Sequence, residues 1–163
     1  MTCRNRLIDF LETQAIPYRR CSHLPTHTAQ EEACAEHLPG SRVAKVVVLM
    51  ANERPAMLVL AADRHVDFDR ARSLLRRESI RLAREDELAQ LFPDCELGAM
   101  PPFGNWYGIP VICDADLARE WDVTFYLGRH DESVTIPTWA LERFSHAEVV
   151  PLAERTRLRT VPA

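Results

Sequence analysis

The chain has 163 residues, of which 47% are hydrophobic and 27% charged, and its formal net charge is −4. This length supports one domain with its own core, so we expect a single domain over residues 1–163 with a short basic tail from about residue 153. No apolar run approaches the roughly 18 residues of a membrane span, and no apolar signal segment opens the chain, so a cytoplasmic protein without a membrane partner is expected.

Helices and strands are predicted to alternate irregularly through the first half of the chain. Helices are placed where apolar residues recur at helical spacing behind a capping residue, and strands where β-branched or apolar residues run together. The predicted order is a helix over 4–14, a strand over 18–22, a helix over 29–38, strands over 43–50 and 56–61, a helix over 67–77, a strand over 80–83 and a helix over 85–91. This order contains no regular βαβ repeat.

The composition changes after residue 92. Three of the five glycines and two adjacent prolines fall within 98–108, which indicates a loop with a shaped backbone. The remaining predicted elements are strands over 111–113, 123–127 and 134–136, a helix over 137–143 and a strand over 148–151.

A single lysine, Lys45, stands among twenty basic residues, and the other nineteen are arginine. It opens the apolar run 46–50, where a charge is unusual. A lysine ammonium is compact and can change its pKa on burial, whereas a guanidinium is a planar, permanent cation. Lys45 is therefore a candidate functional residue. The alternative is a bias against lysine codons that left one lysine at a strand edge, with its stem reaching to water.

The glycine- and proline-rich loop is a second candidate. Backbone N–H groups held in fixed directions can stabilise an oxyanion, and carbonyl groups held the same way can orient a water molecule. The loop matches neither of the glycine-rich nucleotide-binding patterns. On local grounds alone, a rigid connector is the slightly favoured explanation.

Histidines and cysteines offer weaker candidates. Cys21, His23, His27 and Cys34 have the residue types of a metal site, but their spacing is not a standard zinc pattern and Pro25 interrupts it. Five cysteines without a CxxC pair predict free thiols, and nothing selects one of them as a nucleophile. No metal site is therefore predicted.

Arginines cluster in two places, which bears on partners. One cluster spans residues 70–84 and the other comprises Arg155, Arg157 and Arg159. Such clusters can contact phosphates even in a mildly acidic protein. A solvated helix face and a solvated tail are the commoner explanations.

Several motifs in one order resemble a known family. These are Lys45 before Val46-Val47-Val48-Leu49, the segment 62–67, Gly98-Ala99-Met100-Pro101-Pro102-Phe103-Gly104, and Gly128-Arg129-His130. Together they resemble the YbaK/prolyl-tRNA synthetase-associated domain, and the similarity runs from about residue 16 to residue 150. The resemblance implies an α+β fold with a mixed, strongly curved, barrel-like sheet flanked by helices.

The resemblance also implies an activity, namely trans-editing hydrolysis of the ester in a mischarged aminoacyl-tRNA. Its partners would be the 3′ CCA end of that tRNA and an aminoacyl-tRNA synthetase, and no cofactor is implied. The catalytic residues implied are Lys45, which would bind the tRNA end, Gly98 and Pro102 of the loop at the scissile carbonyl, and His130 at the amino-acid pocket. The substrate-binding residues implied are His23, Thr26, His27, Thr28, Met100, Pro101, Phe103, Gly104 and Gly128.

One departure from the family bears on the substrate. The segment 23–28 is more polar than a pocket for alanine needs, so the expected substrate carries serine, threonine or another small amino acid, with the first two preferred over alanine. Two alternatives stay open at this stage: a non-catalytic module of the same fold that binds tRNA or an aminoacyl-adenosine, and a metal hydrolase built on His23, His27 and a cysteine.

Overall fold

The computed structural model describes residues 1–154, which form six α-helices and eight β-strands. The helices are Cys3–Thr13 (α1), Ala29–Ala35 (α2), Phe68–Leu75 (α3), Glu85–Leu91 (α4), Ala115–Ala118 (α5) and Thr138–Ser145 (α6). The strands are Arg19–Ser22 (β1), Ala44–Ala51 (β2), Arg54–Ala61 (β3), Ile80–Leu82 (β4), Val111–Asp114 (β5), Asp122–Arg129 (β6), Glu132–Pro137 (β7) and Glu148–Val150 (β8). None of the helices in these residues is long and apolar enough to cross a membrane.

The strands form two sheets. One has the order β1-β7-β6 and is antiparallel, and the other has the order β4-β2-β3-β5-β8, antiparallel from β4 to β3 and parallel from β3 to β8. An isolated parallel bridge between Val43 and Thr124 connects them just before β2. The predicted mixed α+β fold is thus confirmed. Within residues 1–154 the strands form no closed barrel, so the barrel-like curvature stays a prediction.

The main core lies between the two sheets and under α1. Leu7 and Leu11, four residues apart on one face of α1, are fully buried there, each contributing about 1.5–3 kcal/mol. A second cluster, including Leu49 and Leu58, covers the opposite face of the five-stranded sheet against α3. Most of β2 is therefore packed on both faces, as its apolar sequence predicts.

Two boundaries differ from the sequence-based prediction. The helix α2 ends at Ala35 and not at residue 38, because His37 adopts a left-handed conformation with φ of 55°, which ends a helix. The strand β3 begins at Arg54, because Asn52 and Glu53 alone form the hairpin turn with positive φ values of 47° and 63°. Both shifts come from backbone conformations that residue type predicts poorly.

Candidate active site

A cavity of about 300 Å³ opens beside the first residues of β2. It is bounded by the segment that leads into α2, by the glycine- and proline-rich loop and by β6. Its lining consists of His27, Thr28, Ala29, Ala44, Lys45, Val46, Val47, Gly98, Met100, Phe125 and Tyr126. Five residues predicted from the sequence thus meet here, from three separate stretches of chain: Lys45, His27, Thr28, Gly98 and Met100.

Lys45, the only lysine of the chain, lines this cavity. Its side chain is half-buried, and its Nζ donates a hydrogen bond to the carbonyl oxygen of Arg64. Burial lowers the pKa of Lys45 below its ordinary value of 10.5, and the nearby carboxylate of Asp63 partly opposes that shift. An ammonium that has lost part of its hydration attracts an anion more strongly than one in bulk water.

Gly98 turns the loop at the edge of the cavity. Its φ is +85°, a conformation that residues with a side chain rarely adopt. Its backbone N–H donates to the thioether sulfur of Met100 at 3.2 Å. Because a thioether is a weak acceptor, this N–H can exchange it for a stronger one such as a carbonyl oxygen.

His130 stabilises the same loop through two hydrogen bonds. Its Nε2 lies 2.7 Å from the carbonyl oxygen of Leu97, so Nε2 carries the proton and donates it. The backbone N–H of His130 donates to Oε2 of Glu96 at 2.9 Å. A Cβ added to Gly98 would lie 3.4 Å from Cε1 of the ring. His130 therefore holds residues 96–98 in position.

A short chain of hydroxyl groups reaches the cavity at Tyr126, one of its lining residues. The hydroxyl of Tyr126 donates to the carbonyl oxygen of Thr28 at 3.0 Å, so the hydroxyl of Thr26, 2.6 Å away, donates to Tyr126. Burial raises the pKa of Tyr126 to about 12, so the phenol stays protonated near neutral pH. Tyr126 was not among the residues predicted from the sequence, although a tyrosine in an otherwise apolar strand indicates a buried hydroxyl that needs a partner.

Other predicted site residues lie outside the cavity lining. Phe103 is fully buried and stacks on Trp106 with ring centroids 4.9 Å apart. A Cβ on Gly104 would lie 3.2 Å from the carbonyl oxygen of Ile109, so Gly104 allows close packing. Pro101 and Pro102 are buried beside them. These four residues anchor the loop in the core and leave Gly98 and Met100 to face the cavity.

Gly128 belongs to a different surface. Its φ is +80°, and a Cβ there would lie 2.3 Å from the sulfur of Cys3 in α1. It borders a larger cavity of about 790 Å³ that shares no lining residue with the first. The charges around that cavity are paired, as in Arg4 with Glu132 and Arg129 with Asp131. The smaller cavity is therefore the better candidate for the active site.

His23 is also not among the residues that line the Lys45 cavity. Its side chain lies with those of Glu32 and Glu36, and their candidate ligand atoms are all within 4.8 Å of one another. Burial, together with the negative charge of Glu36, raises the pKa of Glu32 to about 8. Of the four residues weighed as metal ligands in the sequence, this group contains only His23, and the side chain of Cys34 lies outside the described part of the structure.

Within the described residues, four of the six arginines in the first cluster pair with neighbouring carboxylates. Arg81 pairs with Glu53 and Glu87, and Arg84 pairs with Asp86. This pairing favours the solvated-surface interpretation of residues 70–84. Arg155, Arg157 and Arg159 lie outside the described residues.

Comparison with known proteins gives one family and several similar folds. The family model described as "Aminoacyl-tRNA editing domain" matches residues 23–144, which include every lining residue of the cavity. No curated protein matches the sequence significantly.

Three solved structures illustrate the shared fold. A crystal structure of a hypothetical protein is 21% identical, with a TM-score of 0.81 over 91% of this chain and 99% of the other. A crystal structure of "a putative trans-editing enzyme for prolyl tRNA synthetase" is 22% identical, with a TM-score of 0.80 over 95% of this chain and 99% of the other. In a "putative signal transduction protein" from Marinobacter aquaeolei, 14% identical with a TM-score of 0.71, the match spans 92% of this chain but 31% of the other. At these identities the likenesses show the fold alone.

Proposed function

Because the chain belongs to the family of aminoacyl-tRNA editing domains, we propose that it hydrolyses the ester bond of a mischarged aminoacyl-tRNA in trans. The observation that carries this proposal is the meeting of the half-buried ammonium of Lys45 with the positive-φ turn at Gly98 across one small cavity. The cavity is at the small end of the range for ligand sites, which suits an amino acid and the ribose that carries it.

The proposed reaction needs no covalent intermediate. A water oxygen attacks the ester carbonyl carbon, the bond from that carbon to the ribose oxygen breaks, and a proton passes to the ribose oxygen. The products are the free amino acid and the free tRNA. An aminoacyl ester is already reactive, so the enzyme has mainly to position water and stabilise the developing oxyanion.

Lys45 is proposed to anchor the negatively charged 3′ end of the tRNA. Its hydrogen bond to the carbonyl oxygen of Arg64 directs the ammonium, and partial burial strengthens its attraction to a phosphate. A nucleophilic role is not part of this proposal. The lysine supplies charge at a fixed point.

Gly98 is proposed to supply the oxyanion donor. Its N–H would leave the sulfur of Met100 and bind the carbonyl oxygen of the ester as negative charge develops there. His130 acts as a positioning residue, because its Nε2–H holds the carbonyl oxygen of Leu97 next to this turn. Pro101 and Pro102 keep the loop preorganised.

The substrate is proposed to carry a small amino acid, with serine and threonine preferred. His27 and Thr28 are exposed polar residues of the lining, whereas Ala29, Val46 and Val47 make it narrow and apolar elsewhere. A substrate hydroxyl would find polar partners on the first side, and alanine would leave that side unsatisfied.

The test is a deacylation panel with purified protein. The half-lives of Ser-, Thr-, Ala- and Cys-charged tRNAs are measured with the wild type and with Lys45→Ala. We expect the wild type to shorten at least one half-life and Lys45→Ala to lose nearly all of that effect. Circular dichroism of the variant, matching that of the wild type, serves as the folding control.

Unchanged half-lives for all four esters would overturn the enzyme proposal. If the wild type bound tRNA under those conditions without turnover, the fold would be serving as a non-catalytic binding module. Co-purification with a particular synthetase would then identify the tRNA that it meets.

A further inference from the structure

A second cluster of polar side chains lies outside the lining of the Lys45 cavity and includes the first residue of the segment 23–28. It consists of His23, Glu32 and Glu36, whose ligand atoms are within 4.8 Å of one another. Glu32 is fully buried, with an exposed fraction of 0%. Neither carboxylate oxygen of Glu32 has a hydrogen-bond partner, and the same is true of Nε2 of His23 and Oε2 of Glu36.

Burying polar groups without hydrogen-bond partners, as in this cluster, costs free energy unless a ligand binds them. A buried carboxylate without hydrogen bonds loses its hydration and gains nothing in return. A second carboxylate within 4.8 Å adds repulsion. Within the described residues, no arginine or lysine forms a salt bridge with Glu32 or Glu36. A bound cation would satisfy both carboxylates together.

The geometry of His23 is that of a prepared metal ligand. Its Nδ1 lies 2.7 Å from the carbonyl oxygen of Leu24, so Nδ1 carries the proton and the lone pair of Nε2 is free. Metal-binding histidines commonly use their other nitrogen in this way, which fixes the tautomer and the ring orientation. The backbone N–H of His23 is held by the carbonyl oxygen of Asp131 at 3.0 Å.

The glutamates are equally well placed. Glu32 lies in α2 and Glu36 follows one helical turn later, with its N–H bonded to the carbonyl oxygen of Glu32 at 3.0 Å. Residues four apart lie on the same side of a helix. With metal–ligand distances near 2.1 Å, side-chain movements of about 1 Å would bring all three groups onto one ion.

We propose that His23, Glu32 and Glu36 bind one divalent transition-metal ion, with zinc as the probe. One imidazole and two carboxylates suit such an ion, since magnesium and calcium prefer oxygen ligands alone. The ion joins the residue after β1 to the end of α2 and so fixes the segment 23–28, which carries His27 and Thr28 to the cavity. It is a structural ion beside the proposed active site and takes no part in hydrolysis.

The experiment is isothermal titration of chelator-treated protein with zinc chloride, and it does not depend on deacylase activity. The wild type is expected to bind one equivalent, and His23→Gln and Glu32→Gln to weaken that binding by about 10- to 100-fold or more. His37→Gln is the matched control, because His37 is an exposed histidine just after α2. Glu32→Gln replaces the buried carboxyl group with a neutral amide of similar size and is expected to fold, which circular dichroism checks.

Cobalt gives a second readout. The visible absorption of Co²⁺ bound to the wild type is expected to disappear in His23→Gln and Glu32→Gln and to persist in His37→Gln. Absence of zinc binding at 100-fold excess of metal over protein would overturn the proposal. So would one-equivalent binding that both site variants retain, because the ion would then lie elsewhere. Neither result bears on the editing reaction.

Discussion

At the scale of single residues, Lys45 is distinguished by shape as well as by charge. Its ammonium reaches the carbonyl oxygen of Arg64 while lining a cavity of about 300 Å³. A guanidinium is larger and planar, and it presents its donors in a rigid fork. A site built around a point charge therefore has little room for it.

Lys45→Arg should consequently fail as an enzyme although it keeps the charge. We expect kcat/KM for the preferred mischarged tRNA to fall by about 100-fold or more, which corresponds to about 2.7 kcal/mol of lost transition-state stabilisation. Arg54→Lys is the control, because it makes the reverse swap at an exposed position of β3 and should leave kcat/KM unchanged. Retained activity in Lys45→Arg would show that charge alone suffices.

The residues that sequence reasoning found and missed differ in a physical way. Lys45 and Gly98 can be recognised from the sequence alone, because a lone lysine before an apolar strand and a glycine in a proline-rich loop are both unusual. Tyr126 and Glu32 look ordinary in the sequence, one in a strand and the other on a polar helix. Their roles arise from partners brought close only by folding, such as Thr26 for Tyr126 and His23 for Glu32.

At the scale of elements, the loop of residues 96–104 divides into an anchored part and an open part. Phe103 is fixed in the core, and His130 holds the other end through the carbonyl oxygen of Leu97. Between them, Gly98 keeps a φ of +85°. The loop can thus present the N–H of Gly98 with its backbone already in place, as an oxyanion donor requires, and only the thioether of Met100 has to give way.

Gly98→Ala tests whether the open part of this loop acts in catalysis. The positive φ should make the variant less stable by about 1–3 kcal/mol, and we expect kcat/KM to fall by about 100-fold because the loop N–H moves. Gly108→Ala is a close control: its φ is +71°, nothing lies within 4 Å of the added Cβ, and it does not line the cavity. Equal losses of activity in the two variants, measured beside urea unfolding curves, would identify the loop as a rigid connector.

Glu132 shows how charge holds separate elements together. Its nearly buried carboxylate in β7 accepts from Arg4 of α1 at 2.6 Å and from Nε of Arg20 in β1 at 2.8 Å. Burial alone would raise the pKa of Glu132, but the two guanidinium groups hold it below its ordinary value of 4.5. The ionised form is thus the one that stabilises the fold.

Because folding lowers the pKa of Glu132, the effect of Glu132→Gln on the free energy of unfolding should depend on pH. A lowered pKa stabilises the folded protein above the unfolded value of 4.5, and the stabilisation is lost as pH falls toward the folded pKa. We expect Glu132→Gln to lower the free energy of unfolding by about 1–2 kcal/mol at pH 7 and by less at pH 3.5. Urea titrations at both pH values measure this. Glu78→Gln, at an exposed position, should change neither value.

At the scale of the whole molecule, topology was harder to predict than element order. The sequence indicates the order of helices and strands well because apolar periodicity is local. The division into two sheets depends on pairings such as β1 with β7, which join residues 19–22 to residues 132–135. No local pattern encodes such a pairing, and the barrel-like curvature expected from the family resemblance depends on pairings of the same kind.

The charge distribution of the whole molecule limits how tRNA can bind. The net charge is −4, and within residues 1–154 carboxylates engage four of the six arginines in the cluster at 70–84. Tight binding along a tRNA backbone requires many free cations, since each phosphate contact releases counterions. Recognition should therefore concentrate on the aminoacylated 3′ end at Lys45.

A minihelix containing only the acceptor stem should be deacylated with kcat/KM within about tenfold of the full tRNA, a difference of about 1.4 kcal/mol. A loss of about 100-fold or more would instead require contacts with the rest of the tRNA.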